Sequence, residues 1–269
     1  MTEKTIAILG AGNIGLSMAY GLVQSGMFKP GQITLTRRNI SSLAGAGEAG
    51  YIVSTHNGNA VTKSEIILLS VLPQQLDRLM EDIKLHLTER HLVISVITGV
   101  TIANLANGLG ESPALVRAMP NTAIAVGESI TCLSYNARSE AYRGVVEEIF
   151  NTVGEHLEIK EELMTPATAL AACAIAFFLR AIRAATQGGI EIGFHPEDAL
   201  HISIQVAKGA SSLLSRPGAH PEKEIDKVTS PRGCTIAGLN EMEHHGFSSA
   251  LIRGIKTSAE KAGSLYKND

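Results

Sequence analysis

Three glycines near the N-terminus have the spacing of a dinucleotide-binding loop. They form the pattern Gly10-x-Gly12-x-x-Gly15, after a β-prone run and before a helical pattern. In such loops the first glycine permits a tight turn, the second lets a pyrophosphate approach the backbone, and the third lets helix and strand pack closely. The amides that open the helix face the diphosphate. An ordinary tight turn is the alternative. The residues predicted to bind the dinucleotide here are Gly10, Gly12, Asn13, Ile14 and Gly15.

Two arginines at the end of the next strand indicate which dinucleotide is preferred. NAD-preferring domains carry an acidic residue about 20 residues after the glycine loop, where it binds the ribose 2′-hydroxyl. Here the strand ends in Arg37-Arg38-Asn39, with no acid nearby. Guanidinium groups match the geometry of a phosphate. We therefore expect NADP(H) to be preferred, with NAD(H) as a possible cofactor; the alternative is that both arginines face solvent.

The ends of later strands complete the predicted cofactor site. Ligands of open α/β sheets bind outside the carboxyl ends of the strands. The turn at residues 119–122 follows such a strand and is a candidate edge of the nicotinamide pocket, although a plain turn is equally consistent with it. The further predicted cofactor contacts are Asn57 in a polar turn, Val71 and Pro73 after the fourth strand, and Met119, Pro120 and Asn121.

A second stretch with chemical potential lies at residues 228–243. Thr229 or Ser230 could cap a helix whose first turn contains Pro231. The backbone amides of residues 233–235 would then project from the helix N-terminus, which is suited to a small carboxylate. An ordinary capped helix start is the alternative.

The elements around these residues predict an α/β fold, an N-terminal Rossmann-like doubly wound sheet with a C-terminal all-helical domain. Strands and helices alternate up to residue 160, and only helical periodicity follows. We predict domains at 1–160 and 161–269; the helical domain is rich in small residues, and a partner subunit could supply its other face. The predicted strands are 5–9, 33–36, 51–54, 66–71, 92–97, 114–118, 130–134 and 156–159. The main predicted helices are 14–23, 74–86, 102–109, 139–153, 163–186, 195–214, 236–244 and 247–267.

Composition favours a cytoplasmic protein with neither a nucleic-acid nor a membrane partner. The chain of 269 residues has a formal net charge of −3 and no basic stripe. Three scattered cysteines form no disulfide or metal pattern, so no metal is expected. No signal-peptide pattern begins the chain. The most apolar run, residues 167–179, is too short to span a bilayer and is expected to be a buried helix.

Two motifs resemble the pyrroline-5-carboxylate reductase family. Residues 230–239 read Ser-Pro-Arg-Gly-Cys-Thr-Ile-Ala-Gly-Leu, close to the family signature Ser-Pro-Gly-Gly-x-Thr-x-x-Gly/Ala-Leu. Residues 117–122 read Arg-Ala-Met-Pro-Asn-Thr, as in the family, and are followed by Val126-Gly127-Glu128. The likeness extends from the glycine loop to the C-terminus.

This resemblance implies NADPH-dependent reduction of 1-pyrroline-5-carboxylate to proline, in proline biosynthesis. It implies a helical domain that interlocks with a partner in a homodimer, and a decamer of five dimers as a larger assembly. Thr235 would be the catalytic residue, hydrogen-bonded to the ring nitrogen of a small cyclic imine. The implied substrate-binding residues are Ser230, Gly233, Cys234 and Thr235.

Three departures from the family pattern concern the substrate pocket. Leu72 replaces a lysine, residues 171–177 lose every hydroxyl and glycine of Ser-Gly-Ser-Gly-Pro-Ala-Tyr, and Arg232 replaces a glycine. The first two changes make the pocket more apolar, and the third adds a cation. Two alternatives therefore stay open: a paralogue that reduces a different cyclic imine, and a cofactor-binding protein with little turnover.

Overall fold

An eight-stranded sheet dominates the N-terminal part of the chain in the computed structural model, which describes residues 4–266. Its strand order is β3-β2-β1-β4-β5-β6-β7-β8, and neighbouring strands are parallel except β6 and β7. The strands are β1 (Ile6–Leu9), β2 (Ile33–Thr36), β3 (Ile52–Ser54), β4 (Ile66–Leu69), β5 (Leu92–Ser95), β6 (Ala114–Met119), β7 (Ser129–Tyr135) and β8 (Gly154–Glu158).

Alternate strand residues enter two separate cores, one on each face of the sheet. In β1, Ile6 and Ile8 join one apolar cluster, while Ala7 and Leu9 join the other. This explains the continuous apolar runs of the central strands, since both faces are covered. The predicted doubly wound α/β fold is confirmed, and strand ends differ from the prediction by one or two residues.

The helices of the sheet region are α1 (Asn13–Gln24), α2 (Ala44–Glu48), α3 (Asn57–Thr62), α4 (Leu76–Ile83), α5 (Ile102–Leu109) and α6 (Arg143–Asn151). Short 3₁₀ turns flank several of them, including Thr122–Val126 after β6. The prediction of a polar turn at Asn57 was wrong, because α3 begins there. Its Asn- and Gly-rich sequence has low helix propensity, but burial of Ala60 and Val61 stabilises the helix.

The remaining helices are α7 (Met164–Ala167), α8 (Ala174–Glu191), α9 (Pro196–Leu214), α10 (Pro221–Lys227), α11 (Cys234–His244) and α12 (Phe247–Ala262). A π-helical segment, Thr168–Cys173, separates α7 from α8. Helix α10 was missed by the sequence prediction, which placed only a loop after Pro217. The predicted end of the last helix at Lys267 lies outside the described residues.

One helical stretch among residues 4–266, Glu161–Glu191, is long and apolar enough to cross a membrane by length and composition. The argument that this region is too short was therefore wrong, because the helix continues on both sides of the apolar run. Core helices of soluble proteins pass the same test. The expectation of a buried helix is not met within one chain, since Phe178 is 63% exposed and Leu179 is 58% exposed.

By its contacts the chain divides into two compact units. One contains the sheet and runs to Cys173, and it includes the chain again from Ser258 onward; the other is Ala174–Thr257. The sheet unit extends past residue 160 because Met164 and Ala171 pack in a buried cluster with Met119 and Cys132. The domain boundary between residues 160 and 161 stays a prediction.

Small residues permit close helix packing in the second unit. A Cβ atom added at Gly189 of α8 would lie 3.0 Å from the Cβ of Ala199 in α9. Ala199 is buried at this crossing. The two helices therefore approach each other closely, as the small-residue content predicted.

Candidate active site

The glycine loop has the geometry that a bound diphosphate requires. Gly10 has a φ of 93°, and a Cβ there would lie 2.5 Å from Val71 Cγ1. At Gly15 a Cβ would lie 2.8 Å from Ser70 Oγ. At Gly12 the nearest atom would be 3.9 Å away, so space remains open above this residue. The first and third glycines are thus required by the fold itself, while the second leaves room for a ligand.

The loop is held to the neighbouring strands by hydrogen bonds. The amides of Gly10 and Ala11 donate to the Thr36 carbonyl at 3.2 and 2.9 Å. The hydroxyl of Ser70 donates to the Gly10 carbonyl at 2.9 Å. Ser70 was not among the predicted site residues, although a polar residue ending the apolar β4 run was a usable signal. The first amides of α1, at Asn13 and Ile14, keep no intrahelical partner.

Arg37 lies beside the glycine loop. Its Nη1 donates to the Ala11 carbonyl at 3.4 Å, and its own amide donates to the Ser54 carbonyl at 3.2 Å. Arg38 is also exposed at the end of β2. The Arg37 guanidinium therefore lies next to the loop, where a 2′-phosphate would add negative charge, and Arg38 follows it in the chain.

A cleft of about 380 Å³ separates the start of α1 from the turn after β6. It is lined by Asn13, Ile14, Leu16, Ser17, Thr122, Ile124 and Ala125. The structure thus brings two predicted cofactor residues of the loop, Asn13 and Ile14, against Thr122 at the end of the predicted turn and the residues that follow it. Met119, Pro120 and Asn121 are themselves buried and do not line the cleft. Their contact with the cofactor stays a prediction.

The side chain of Asn57 bonds inside the protein at both of its polar ends. Its Oδ1 accepts from the Thr36 hydroxyl at 2.6 Å, and its Nδ2 donates to Asp82 Oδ2 at 2.9 Å. It thus connects the end of β2 with α3 and α4. Its predicted role as a cofactor contact stays a prediction, beside this structural role.

Three residues after β4 concern the predicted site. Val71 and Pro73 are predicted cofactor contacts, and Leu72 departs from the family pattern. Val71 packs against Gly10, and Pro73 begins the 3₁₀ turn Pro73–Gln75. Leu72 between them is 64% exposed. An exposed leucine at a strand end is an apolar surface, where the family pattern has a lysine.

The start of α11 differs from the prediction. The helix begins at Cys234, with Gly233 as its N-cap and no side-chain cap. The Thr229 hydroxyl instead donates to the Ile225 carbonyl at 2.8 Å, and Pro231 lies in the preceding turn. Neither Thr229 nor Ser230 therefore caps α11, because Gly233 occupies the N-cap position.

The predicted anion site keeps fewer free amides than expected. Gly233 N–H donates to the Ser230 carbonyl at 2.9 Å, which closes the turn. A Cβ at Gly233 would overlap Ser230 Oγ. The amides of Cys234 and Thr235 belong to the first helical turn and keep no intrahelical partner. Both residues are exposed, so their amides and the Thr235 hydroxyl are accessible to a ligand.

Arg232 has a left-handed backbone. Its φ is 61°, the one positive φ of a non-glycine residue in residues 4–266. The family pattern has glycine at this position, which adopts such a φ at little cost. The arginine is therefore strained in this turn, where a glycine would not be.

Comparison with known proteins places this site in a family. A family model for pyrroline-5-carboxylate reductase dimerisation matches residues 161–265, and one for NADP oxidoreductase, coenzyme F420-dependent, matches residues 5–99. Pyrroline-5-carboxylate reductase 2 of Dictyostelium discoideum is 46% identical, over 97% of this chain and 92% of that protein. Pyrroline-5-carboxylate reductase 1 of the same organism is 51% identical, but the chain spans only 50% of its length.

A solved structure shares the fold. The crystal structure of Plasmodium falciparum pyrroline carboxylate reductase with NADP bound matches with a TM-score of 0.90. It covers 99% of this chain and 100% of that chain, at 24% identity. Together with the Dictyostelium relatives, these matches identify an oxidoreductase fold with an NADP-type Rossmann domain and a helical dimerisation domain. The chain belongs to the pyrroline-5-carboxylate reductase family.

Proposed function

We propose that this protein reduces 1-pyrroline-5-carboxylate to proline and prefers NADPH as the reductant. The observation that carries the proposal is the start of α11, where accessible amides and the Thr235 hydroxyl lie within the signature at residues 230–239. A small anionic ring suits this arrangement, because a helix N-terminus attracts a carboxylate.

The chain's own residues bind and orient the substrate. The Cys234 and Thr235 amides take the carboxylate, and the Thr235 hydroxyl hydrogen-bonds the ring nitrogen. When bound, the reduced nicotinamide supplies a hydride to the imine carbon. The C=N electron pair then moves to the nitrogen, which already carries its proton in the iminium form. No further acid or base is needed, so orientation is the main contribution of the protein.

Arg37 supports the preference for NADPH. Its guanidinium lies against the glycine loop, and β2 ends without the acidic residue that binds a ribose 2′-hydroxyl. A planar guanidinium suits a phosphate on that ribose. NADH is expected to bind more weakly.

Exposed apolar side chains support a homodimer. Large apolar residues on α8 and α9 are 44–65% exposed in the single chain: Phe178, Leu179, Leu200, Ile202, Ile204 and Val206. A second copy, rather than lipid, is proposed to cover them, and a decamer is the larger alternative. Light scattering after gel filtration measures the mass.

We propose a cytoplasmic protein without membrane or nucleic-acid partners.

Reduction of another cyclic imine is the second candidate. It is favoured by the exposed Leu72, which replaces a lysine, and by the apolar residues 171–177. A less polar ring would suit such a surface better than the carboxylated pyrroline.

Turnover with a panel of cyclic imines tests these alternatives. NADPH oxidation is followed by absorbance, and the largest kcat/KM is expected with 1-pyrroline-5-carboxylate. Clear oxidation with another imine alone would support the second candidate. NADPH binding without oxidation by any imine would support a protein with little turnover.

A pair of variants tests Thr235. Thr235→Val removes the hydroxyl with little change of shape, and kcat should fall on the order of a hundredfold, the effect of removing one oriented donor. Thr235→Ser keeps the hydroxyl and should retain most activity. The Kd for NADPH should stay within about twofold in both, since neither removes a proposed cofactor contact. Equal rates for the two variants would remove the hydroxyl from the mechanism.

A further inference from the structure

Alternate residues at the end of β6 contact one segment of the chain, residues 161–171. Arg117 Nη1 lies 3.7 Å from Glu161 Oε1. Met119 packs in a buried cluster with Met164 and Ala171. Asn121 Nδ2 donates to the Ala171 carbonyl at 3.0 Å. Residues two apart on a strand point to the same face. The segment is therefore fastened along one face of β6 and its continuation.

The Asn121 carboxamide bonds in two directions. Its Oδ1 accepts from the Ala123 amide at 2.9 Å and caps the 3₁₀ turn Thr122–Val126. Its Nδ2 donates to Ala171. The residue is only 8% exposed. Thr122 and Ile124 line the cleft beside α1, so a single buried side chain joins this cleft to the segment Thr168–Cys173.

The segment Thr168–Cys173 is π-helical, although its sequence does not require this. It reads TALAAC, and alanine and leucine are strong α-helix formers. π-Helical turns are rare and are frequently found at functional sites. The bond from Asn121 supplies a donor from outside the helix to the Ala171 carbonyl. The unusual turn is thus accompanied by a tertiary contact that an undisturbed α-helix would not need.

We propose that Asn121 is a positioning residue, whose carboxamide fixes the π-helical turn at Ala171 relative to the cofactor cleft. Its effect on catalysis rests on the proposed function, whereas the hydrogen bond between Asn121 and Ala171 does not. Loss of the Nδ2 bond releases the turn and leaves the cleft in place. Asn121 then acts through the turn, and direct contact with the cofactor is not its main role.

Asn121→Ser separates the two bonds. A serine hydroxyl still caps the turn Thr122–Val126, but it is too short to reach Ala171. Asn136→Ser is the matched control, because Asn136 Oδ1 likewise accepts backbone amides, from Leu115 and Ser139, at 3.2 and 2.9 Å. Asn121→Asp is a second variant that keeps the Oδ1 acceptor and removes the donor.

Amide hydrogen exchange of the protein without cofactor tests the link. Exchange within residues 168–177 should be about tenfold faster in Asn121→Ser, the equivalent of one buried hydrogen bond. The Asn136→Ser control should match the wild type there. Unchanged exchange in both Asn121 variants would overturn the proposal. This readout does not depend on the substrate.

Kinetics test the positioning role. With 1-pyrroline-5-carboxylate, kcat of Asn121→Ser should fall about tenfold while the Kd for NADPH stays within about twofold. A tenfold weaker Kd with unchanged kcat would make Asn121 a cofactor ligand and overturn the proposal. The proposal would also be overturned if the loss of kcat in Asn121→Ser were no larger than the unfolded fraction of that variant explains. A wild-type protein inactive on this imine, with the exchange difference intact, would contradict the proposed function alone.

Discussion

Arg117 Nη1 lies 3.7 Å from Glu161 Oε1, and the arginine side chain is enclosed within the sheet unit. The same carboxylate oxygen accepts from the Ile102 amide at the start of α5, at 2.6 Å. Nε and Nη2 of Arg117 have no partner in the described part of the chain. Burial lowers the pKa of Arg117, and Glu161 opposes this shift. Glu161 therefore compensates a buried charge and binds a helix terminus.

Glu161→Gln should destabilise the protein by about 3 kcal/mol, at the lower end for a broken buried ion pair because Glu161 is partly exposed. The free energy of unfolding is measured by urea denaturation. Glu162→Gln, at the exposed neighbouring position, is the control and should change it by less than about 0.5 kcal/mol. Equal effects of the two substitutions would contradict the role of the ion pair.

Gly12→Ala should weaken cofactor binding without destabilising the fold. Space is open above Gly12, so the new methyl group meets no protein atom closer than 3.9 Å, yet it occupies the approach of the pyrophosphate. We expect the Kd for NADPH to rise at least about tenfold, measured by fluorescence titration, the effect of about 1.4 kcal/mol. Gly31→Ala, also in open space, should leave it unchanged. NADPH binding of wild-type strength would place the diphosphate elsewhere.

Arg37→Ala should weaken NADPH more than NADH. Only NADPH carries the 2′-phosphate, and a charge-assisted hydrogen bond contributes about 1.5–3 kcal/mol, or more than about tenfold in Kd. The two Kd values are measured side by side by titration. Arg138→Ala, an exposed arginine of the same unit away from the glycine loop, serves as the control. Equal losses for both cofactors would refute the role of Arg37.

Arg232→Gly should stabilise the protein by about 0.5–1 kcal/mol. Glycine relieves the left-handed strain, about 1–2 kcal/mol, but loses more chain entropy on folding. Arg216→Gly is the control at an exposed position without a positive φ, and it should be neutral or destabilising. Urea denaturation of both variants compares them with the wild type. A loss of stability in Arg232→Gly would show that the arginine makes compensating contacts.

Acidification should destabilise the protein through His91. This buried ring accepts from the Thr88 amide at 2.9 Å through Nδ1, which a protonated ring cannot do. Burial lowers the pKa of His91 below its usual 6.5. As the pH falls below about 6.5, the unfolded chain therefore binds the proton first, and the free energy of unfolding decreases by up to about 1.4 kcal/mol per pH unit.

Urea denaturation between pH 8 and pH 5 measures this effect. His91→Gln should have a smaller slope below pH 6.5 than the wild type, because it removes the titrating group. Parallel curves for the wild type and His91→Gln would contradict the prediction.

The sequence by itself determined the fold class and the two places where ligands are expected. Alternating apolar runs and the glycine spacing are local patterns, so the doubly wound sheet and the dinucleotide loop could be predicted from them. Residues 230–239 indicated the family in the same way. Element ends and short polar helices were less predictable. Helix α10 was missed, and α3 forms on an Asn- and Gly-rich sequence because burial of Ala60 and Val61, rather than propensity, stabilises it.

Only the tertiary structure decided which groups are free to act. Gly233 donates its amide to Ser230, Asn57 bonds Thr36 and Asp82, and Arg232 adopts a left-handed backbone. The contact of Asn121 with Ala171 joins residues 50 positions apart in the chain. No local pattern encodes such a contact, since it depends on how the end of β6 and the helix after β8 pack together. The residue types therefore predicted the chemistry. Long-range hydrogen bonds and burial decide which of these polar groups are free to bind a ligand.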